Sequence, residues 1–98
     1  MKEYKITLSE NAEKNLEEII EYLMVHWSET VKNKFLDLIE QKVGFISANP
    51  FMYPKSKKKN IRKCLVTKHN AFYYCINKNE IEIITFYDTR KNQKKLKF

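Results

Sequence analysis

The chain has 98 residues with one glycine, two prolines and two cysteines, and it carries a net charge of +7. This length builds one domain, over residues 1–98, and the scarcity of glycine and proline excludes a disordered or disulfide-stapled chain. No run of about 18 apolar residues could span a membrane, and the charged and apolar residues of Met1–Leu8 alternate, unlike a signal peptide. We therefore expect a cytoplasmic protein in which Cys64 and Cys75 are reduced.

The first half of the chain predicts a strand followed by two helices. Tyr4, Ile6 and Leu8 alternate with polar residues, as in a strand with one buried face. Ser9 and Ser28 are each placed to cap a helix. The apolar stripes consist of Ala12, Leu16, Ile19, Ile20, Leu23 and Trp27 in the first helix and of Val31, Phe35, Leu38, Ile39, Val43 and Ile46 in the second.

The second half predicts a sheet that these helices can cover. Asn49-Pro50 ends the second helix, and a loop over residues 51–60 leads into three strands joined by short turns. The predicted strands are Ile61–Val66, Ala71–Ile76 and Ile81–Tyr87. The order β-α-α-β-β-β indicates an α+β fold, with an antiparallel helical hairpin packed on one face of a small, mainly antiparallel sheet. We expect the other face to be open, with Arg62 and Lys63 where the sheet is entered and Arg90 where the chain leaves it.

The charge is distributed unevenly along the chain. Residues 1–50 sum to −3 and residues 51–98 sum to +10. A strongly basic half attracts a polyanion or an acidic protein by long-range steering. The alternative is that the lysines only keep the protein soluble.

Several segments resemble, in the same order, those of the RelE/ParE toxin superfamily. They are the start Tyr4–Ser9, the helix end Asn49-Pro50, a strand carrying Arg62, the aromatic strand Ala71–Ile76 and the segment Ile81–Arg90. The resemblance covers nearly the whole chain. It implies the toxin of a bacterial type II toxin–antitoxin pair, of the kind associated with growth arrest and plasmid stabilisation, which a cognate antitoxin holds inactive.

The resemblance leaves the target of the toxin open. RelE-like members cleave messenger RNA in the ribosomal decoding site as metal-independent endoribonucleases, whereas ParE-like members poison DNA gyrase and lack the nuclease residues. A shared fold does not decide between these activities. A third alternative is a non-toxic RNA- or ribosome-binding module. None of the three requires a cofactor.

Three residues match positions of the nuclease site. Arg62 and Arg90 would bind the phosphate, because a guanidinium fork fits phosphate oxygens and stays charged. Tyr87 is the nearest match to the proton-transfer residue, although a tyrosine with an ordinary pKa of ~10 needs cationic help near neutrality. The alternatives are that Arg62 pairs with an acid or a carbonyl, that Arg90 binds antitoxin carboxylates, and that Tyr87 packs beside Ile81 and Ile83.

The remaining candidates are weaker. Lys57, Lys58, Lys59 and Lys63 are predicted to hold a nucleic-acid backbone, and the alternative for each is plain solvation. Cys64 and Cys75 are expected to face each other if His69-Asn70 forms the two-residue turn of a hairpin. The spacing of these cysteines and His69 is not that of a zinc site, so we predict no metal. For Phe72, Tyr73 and Tyr74, a place in the core is favoured over base stacking.

Overall fold

The protein, as a computed structural model that describes residues 3–57 and 59–89, has the predicted order of elements. The elements are β1 (Lys5–Leu8), α1 (Glu10–His26), α2 (Glu29–Ala48), β2 (Arg62–Thr67), β3 (Asn70–Asn77) and β4 (Glu80–Asp88). The strands lie side by side in the order β1-β4-β3-β2. Only β1 pairs in parallel, with β4, so the α+β fold with a mainly antiparallel sheet is confirmed.

The two serine caps place the helical hairpin as predicted. The Ser9 hydroxyl accepts a hydrogen bond from the Ala12 amide at 3.0 Å, and the Ser28 hydroxyl accepts one from Val31 at 3.2 Å. Caps of this kind contribute about 1 kcal/mol each. Asn49 caps the end of α2, directly before Pro50.

The core lies between the helices and one face of the sheet. Its buried side chains are Ala12, Phe35, Ile39 and Ile46 from the helices and Cys64, Val66, Phe72, Tyr74, Ile81, Ile83 and Phe86 from the strands. The prediction for Trp27 was wrong, because α1 ends at His26 and the Trp27 side chain is 66% exposed. Leu38 is also exposed, at the margin of the α2 stripe. Within the described ranges, no helix is long and apolar enough to cross a membrane.

Polar side chains of α1 cover the edge of β4 that β1 does not reach. β1 pairs with β4 only as far as Ile83. Beyond it, the Ser9 hydroxyl donates to the Ile84 carbonyl at 2.7 Å. The side-chain oxygen Oδ1 of Asn15 accepts from the Thr85 hydroxyl at 2.6 Å and from the Phe86 amide at 3.2 Å. These bonds satisfy backbone groups that a sheet edge otherwise leaves free for another strand.

One irregularity in β4 decides which side chains face the helices. Tyr73 pairs with Thr85, but the next residue, Tyr74, pairs with Ile83, so Ile84 is the extra residue of a β-bulge. A bulge shifts the alternation of every residue that follows it. Phe86 is therefore in the core, and Tyr87 is not on the face of Ile83.

Candidate functional site

Arg62 lies on the face of the sheet that is covered by the helices. It is the first residue of β2 and pairs with Tyr74, whose side chain is fully buried in the core. Paired residues project to the same side of a sheet. We call this side, with Arg62, Cys64, Phe72 and Tyr74, the helix-side face. Arg62 thus does not lie on the open face, where the sequence prediction placed it.

The guanidinium of Arg62 is engaged with the loop that follows α2. Its Nη1 donates to the Tyr53 carbonyl, and its central carbon lies 5.2 Å from the centroid of the Phe51 ring. Its Nε is buried, with no hydrogen-bond partner among the described residues. The alternative in which Arg62 pairs with a carbonyl is therefore the arrangement that the structure shows.

The same loop is tied to the chain at and before the start of the sheet at two further points. The Tyr74 hydroxyl donates to the Pro50 carbonyl at 2.8 Å. The Ser56 amide donates to the Ile61 carbonyl at 2.8 Å, and this bond is part of an isolated antiparallel β-bridge between Lys55 and Arg62. Arg62 and Tyr74 therefore hold both ends of the segment between Pro50 and Tyr53.

Tyr87 lies on the opposite side, which we call the outer face and which includes Lys63, Ala71, Tyr73, Cys75 and Tyr87. Tyr87 pairs with Ala71, and its ring stacks on Tyr73 with centroids 5.1 Å apart and planes 8° from parallel. The Lys63 ammonium lies 6.0 Å from the centroid of the Tyr87 ring. The predicted packing of Tyr87 beside Ile81 and Ile83 was wrong, because the bulge at Ile84 reverses the alternation. The outer face is also less open than predicted, since Ala71 is fully buried.

The structure therefore separates two of the three predicted catalytic residues. Arg62 and Tyr87 lie on different faces of the sheet, whereas Lys63 and Tyr87 lie together. Arg90 lies outside the described residues. The catalytic roles of these residues remain predictions.

Tyr73 on the outer face and Tyr74 on the helix-side face hold their protons strongly. Burial raises the pKa of Tyr74 to about 12, against the opposing effect of the Arg62 charge. Burial also raises the pKa of Tyr73 to about 12; the neighbouring Tyr87 adds to the shift and Lys63 opposes it. Neither tyrosine is thus suited to accept a proton near neutrality.

The predicted phosphate-binding lysines are exposed where the structure describes them. Lys57 and Lys59 lie in the loop before β2, and Lys63 lies on the outer face. Lys58 lies outside the described residues. The Asn60 side chain reaches the Ile76 carbonyl at 3.5 Å, which places this basic loop beside the end of β3. Binding of nucleic acid by these lysines stays a prediction.

The two cysteines do not face each other. Cys64 pairs with Phe72 and is buried on the helix-side face, whereas Cys75 pairs with Glu82 and lies on the outer face. The prediction failed because the turn consists of Lys68 and His69 and because the register shifts between Leu65 and Thr67, and together these make Cys64 oppose Phe72. Burial raises the pKa of both thiols. In residues 3–57 and 59–89, no three His, Cys, Asp or Glu side chains are grouped closely enough to bind a metal.

Sequence reasoning missed two groups of side chains around this site. Asn15 was not considered, although it lies on the buried side of α1 and bonds to β4. Phe51 and Met52 lie in the segment that was predicted only as a loop, yet both side chains are exposed and the Phe51 ring lies beside the Arg62 guanidinium. The sequence signal that could have drawn attention to Phe51 and Met52 is that two large apolar residues follow directly after Pro50, where the helix ends.

Comparisons with known proteins agree on the fold. A chain of "Chromosomal ParDE TA system from P. aeruginosa" superposes with a TM-score of 0.71 at 16% identity, covering 90% of this chain and 98% of the other. The YoeB dimer structure from Staphylococcus aureus gives 0.63 at 16% identity, covering 87% and 95%. The E. coli DinJ–YafQ toxin–antitoxin complex gives 0.61 at 9% identity, covering 90% and 94%. No curated protein matches the sequence.

The family assignment comes from the sequence match. The family described as "ParE toxin of type II toxin-antitoxin system, parDE" matches residues 6–93, which includes all six elements except the first residue of β1. The fold is thus that of a small toxin of the RelE/ParE superfamily, as the resemblance implied. The chain belongs to the ParE toxin family of type II toxin–antitoxin systems.

Proposed function

We propose that this toxin, which a cognate antitoxin neutralises, arrests growth by binding DNA gyrase and does not cleave RNA. The proposal takes the ParE-like alternative over the RelE-like one. The observation that carries it is the separation of Arg62 and Tyr87 by the thickness of the sheet.

Metal-independent cleavage of RNA needs a cation at the phosphate and a proton-transfer group within hydrogen-bond reach of the same reacting atoms. An arginine on the helix-side face and a tyrosine on the outer face do not meet at one phosphate. The Arg62 guanidinium is also already held by the Tyr53 carbonyl and the Phe51 ring.

The tyrosines give no better base. A pKa of about 12 leaves Tyr73 protonated throughout the physiological range. Tyr74 is in the same state and is fully buried. Inhibition by protein–protein contact needs none of these proton transfers, and the match to a ParE family supports that choice.

The test runs two assays on one purified toxin. One measures supercoiling of relaxed plasmid by purified gyrase, and the other measures cleavage of a short messenger RNA on programmed ribosomes. We expect inhibition of supercoiling and intact RNA. Addition of the antitoxin should restore supercoiling.

The Tyr87→Phe and Lys63→Gln variants make the test sharper. Both keep the shape of the outer face while removing a hydroxyl or a charge, and they should still arrest growth if no proton is transferred. Cleavage at the decoding site by the wild type, lost in Tyr87→Phe, would overturn the proposal and restore the RelE-like mechanism.

A further inference from the structure

The turn that joins α1 to α2 projects from the body of the protein. Every residue from Met24 to Thr30 is exposed, and the residues on either side of this run, Leu23 and Val31, are half-buried. Leu23 is the last side chain of α1 that packs against the core. We call residues 22–30 the hairpin tip. Because its side chains are exposed over seven consecutive positions, the tip is a convex projection that a partner can surround.

The hairpin tip carries four large apolar side chains that the core does not use. Tyr22 and Met24 are 55% and 46% exposed, and Val25 and Trp27 are 70% and 66% exposed. Tyr22 and Val25 lie side by side, since residues three apart on a helix are neighbours, and Met24 and Trp27 have the same spacing. The centroid of the Tyr22 ring also lies 4.5 Å from that of the His26 ring. An exposed apolar patch rich in aromatic side chains is typical of a protein interface.

The charges around the hairpin tip are all negative. Residues 15–31 contain neither lysine nor arginine, although the whole chain carries +7, and their carboxylates are those of Glu17, Glu18, Glu21 and Glu29. All four are exposed, and none forms an ion pair among residues 3–57 and 59–89. Glu29 also has a structural role, because an acid in the first turn of α2 is favourable for the helix dipole.

Two of these carboxylates adjoin the apolar side chains directly. Glu18 and Glu21 lie one helical turn before Tyr22 and Val25, on the same exposed side of α1. Glu21 also lies four residues after Glu17, at a spacing where like charges repel and weaken the helix slightly. The tip is therefore an apolar projection with an acidic rim, on a protein that is otherwise basic.

This charge distinguishes the partners that the tip can take. Messenger RNA and the ribosome are polyanions, which the carboxylates repel. An acidic protein is attracted instead to residues 51–98, which sum to +10. A second copy would have to bring its basic half to the tip, and such a head-to-tail contact leads to rings or filaments and not to a closed pair. The tip fits a basic, concave surface on a different protein.

Gyrase offers a partner of this chemistry. An enzyme that binds and encloses a DNA duplex needs a cleft in which lysine and arginine neutralise the phosphates. We propose that the hairpin tip inserts into a DNA-binding cleft of gyrase, where its apolar side chains fill the cleft and its carboxylates pair with cations that otherwise bind phosphate. The inference rests on gyrase as the target, which is the proposed function. It assigns gyrase to the acidic tip and leaves the basic half of the toxin for other contacts.

The first experiment measures the affinity of the full-length toxin for purified gyrase by biolayer interferometry, together with the toxin concentration that halves supercoiling. The test variant is Val25→Ala with Trp27→Ala. The matched control is Phe45→Ala with Leu65→Ala, whose side chains are 46% and 47% exposed on α2 and β2. We expect the test variant to raise both values about 30-fold or more and the control to stay within about threefold.

The second experiment tests the acidic rim. Glu18→Gln with Glu21→Gln should raise Kd about tenfold at low salt and by less at high salt, because partly exposed ion pairs are screened. Glu80→Gln with Glu82→Gln removes the same charge from the start of β4 and should stay within about threefold. A short DNA duplex bound to gyrase should weaken the binding of wild-type toxin, since the two compete for the same cations.

Two controls keep these measurements interpretable. Thermal unfolding checks that each variant is folded, and Trp27→Ser alone replaces the double variant if that one fails to fold. The affinity for the antitoxin should be unchanged in all tip variants, because an acidic protein is attracted to the basic half of the chain.

The outcomes separate this inference from the proposed function. If the wild type inhibits supercoiling and the folded tip variants inhibit it equally, the inference is overturned and gyrase remains the target. If the wild type neither binds gyrase nor inhibits supercoiling, the proposed function fails and the inference fails with it. Antitoxin affinity that is lost in the tip variants while gyrase affinity is kept would assign the tip to the antitoxin. Self-association of the wild type that the tip variants abolish, measured by sedimentation velocity, would assign it to a second copy, and either result overturns the inference.

Discussion

Arg62 and Lys63 are neighbours in sequence, yet they lie on the two faces of one sheet and make different contacts. Arg62 contacts a backbone carbonyl and a phenyl ring beneath the loop after α2. Lys63 is exposed and lies above the Tyr87 ring. The helix-side face uses its polar groups to hold the chain in place, whereas the outer face leaves its cation accessible.

The same contrast separates the two tyrosines of β3. Tyr74 is fully buried and donates to Pro50, while Tyr73 stacks on Tyr87 across the outer face. Residue type alone does not distinguish members of either pair. What distinguishes them is the side of the sheet that the pairing register gives to each.

Removal of the bulge at Ile84 is the strongest test of the difference between the two faces. Deletion of Ile84 restores regular alternation, so that Phe86 and Tyr87 must exchange faces or β4 must slip against β3. We expect a loss of at least about 4 kcal/mol in the free energy of unfolding, or no cooperative transition, because the Phe72–Phe86 contact at 5.5 Å is lost. Urea unfolding followed by near-UV circular dichroism measures it.

Ile84→Ala is the matched control, since it shortens the side chain but keeps the extra residue. A loss of about 1 kcal/mol is expected there. Equal effects of the deletion and the substitution would mean that the bulge does not set the two faces.

The order of elements was predictable because its signals are local. Ser9 and Ser28 cap helices wherever an apolar stripe follows, and Pro50 cannot continue a helix. The strand positions followed from alternation and from the turns around His69 and Lys78. The parallel pairing of β1 with β4 is non-local and was not predicted from the sequence.

The candidate site was less predictable because it depends on two register details. The bulge at Ile84 has no glycine or proline to mark it, so simple alternation placed Tyr87 on the wrong face. The position of the Lys68-His69 turn and the irregularity between Leu65 and Thr67 decided which residue opposes Cys64. Arg62 was singled out correctly as unusual, but only the position of the loop after α2 shows what its guanidinium contacts.

Thiol reactivity gives a second, smaller difference between the faces. Cys64 is fully buried on the helix-side face and Cys75 is partly exposed on the outer face. Because Cys64 reacts only through opening of the core, we expect it to react with Ellman's reagent about 100-fold more slowly than Cys75. Cys64→Ala and Cys75→Ser variants assign the two phases. Equal rates would show that the reagent reaches Cys64 on β2 as easily as it reaches Cys75 on the outer face.

Alkaline pH should destabilise the protein through tyrosines on both faces. The pKa values of Tyr73 and Tyr74 are raised to about 12, above the ordinary value of ~10. The unfolded chain therefore loses these protons first, so the stability they give is complete below about pH 10 and is lost as the pH rises towards 12. Tyr74, which is fully buried, should account for about 2 kcal/mol over that window, and Tyr73, which is partly exposed, for less. Urea titrations at several pH values measure both.

The Tyr73→Phe and Tyr74→Phe variants separate the two contributions. Each should reduce the fall in the free energy of unfolding between about pH 10 and 12 relative to the wild type, because one of the two phenols no longer titrates. A reduction in only one of them would show that burial, which raises both pKa values, acts on a single face.

The smallest expected effect is the difference in stability between variants of Arg62 and Lys63. Arg62→Ala removes the hydrogen bond to Tyr53 and the contact with Phe51, so we expect a loss of about 1–2 kcal/mol in the free energy of unfolding. Lys63→Ala should cost at most about 0.5 kcal/mol, since the side chain is exposed. Urea unfolding of both variants measures the difference. If Lys63→Ala proved the more costly, the cation above Tyr87 would be the structural one, and Arg62 would be the residue left free to act on a partner.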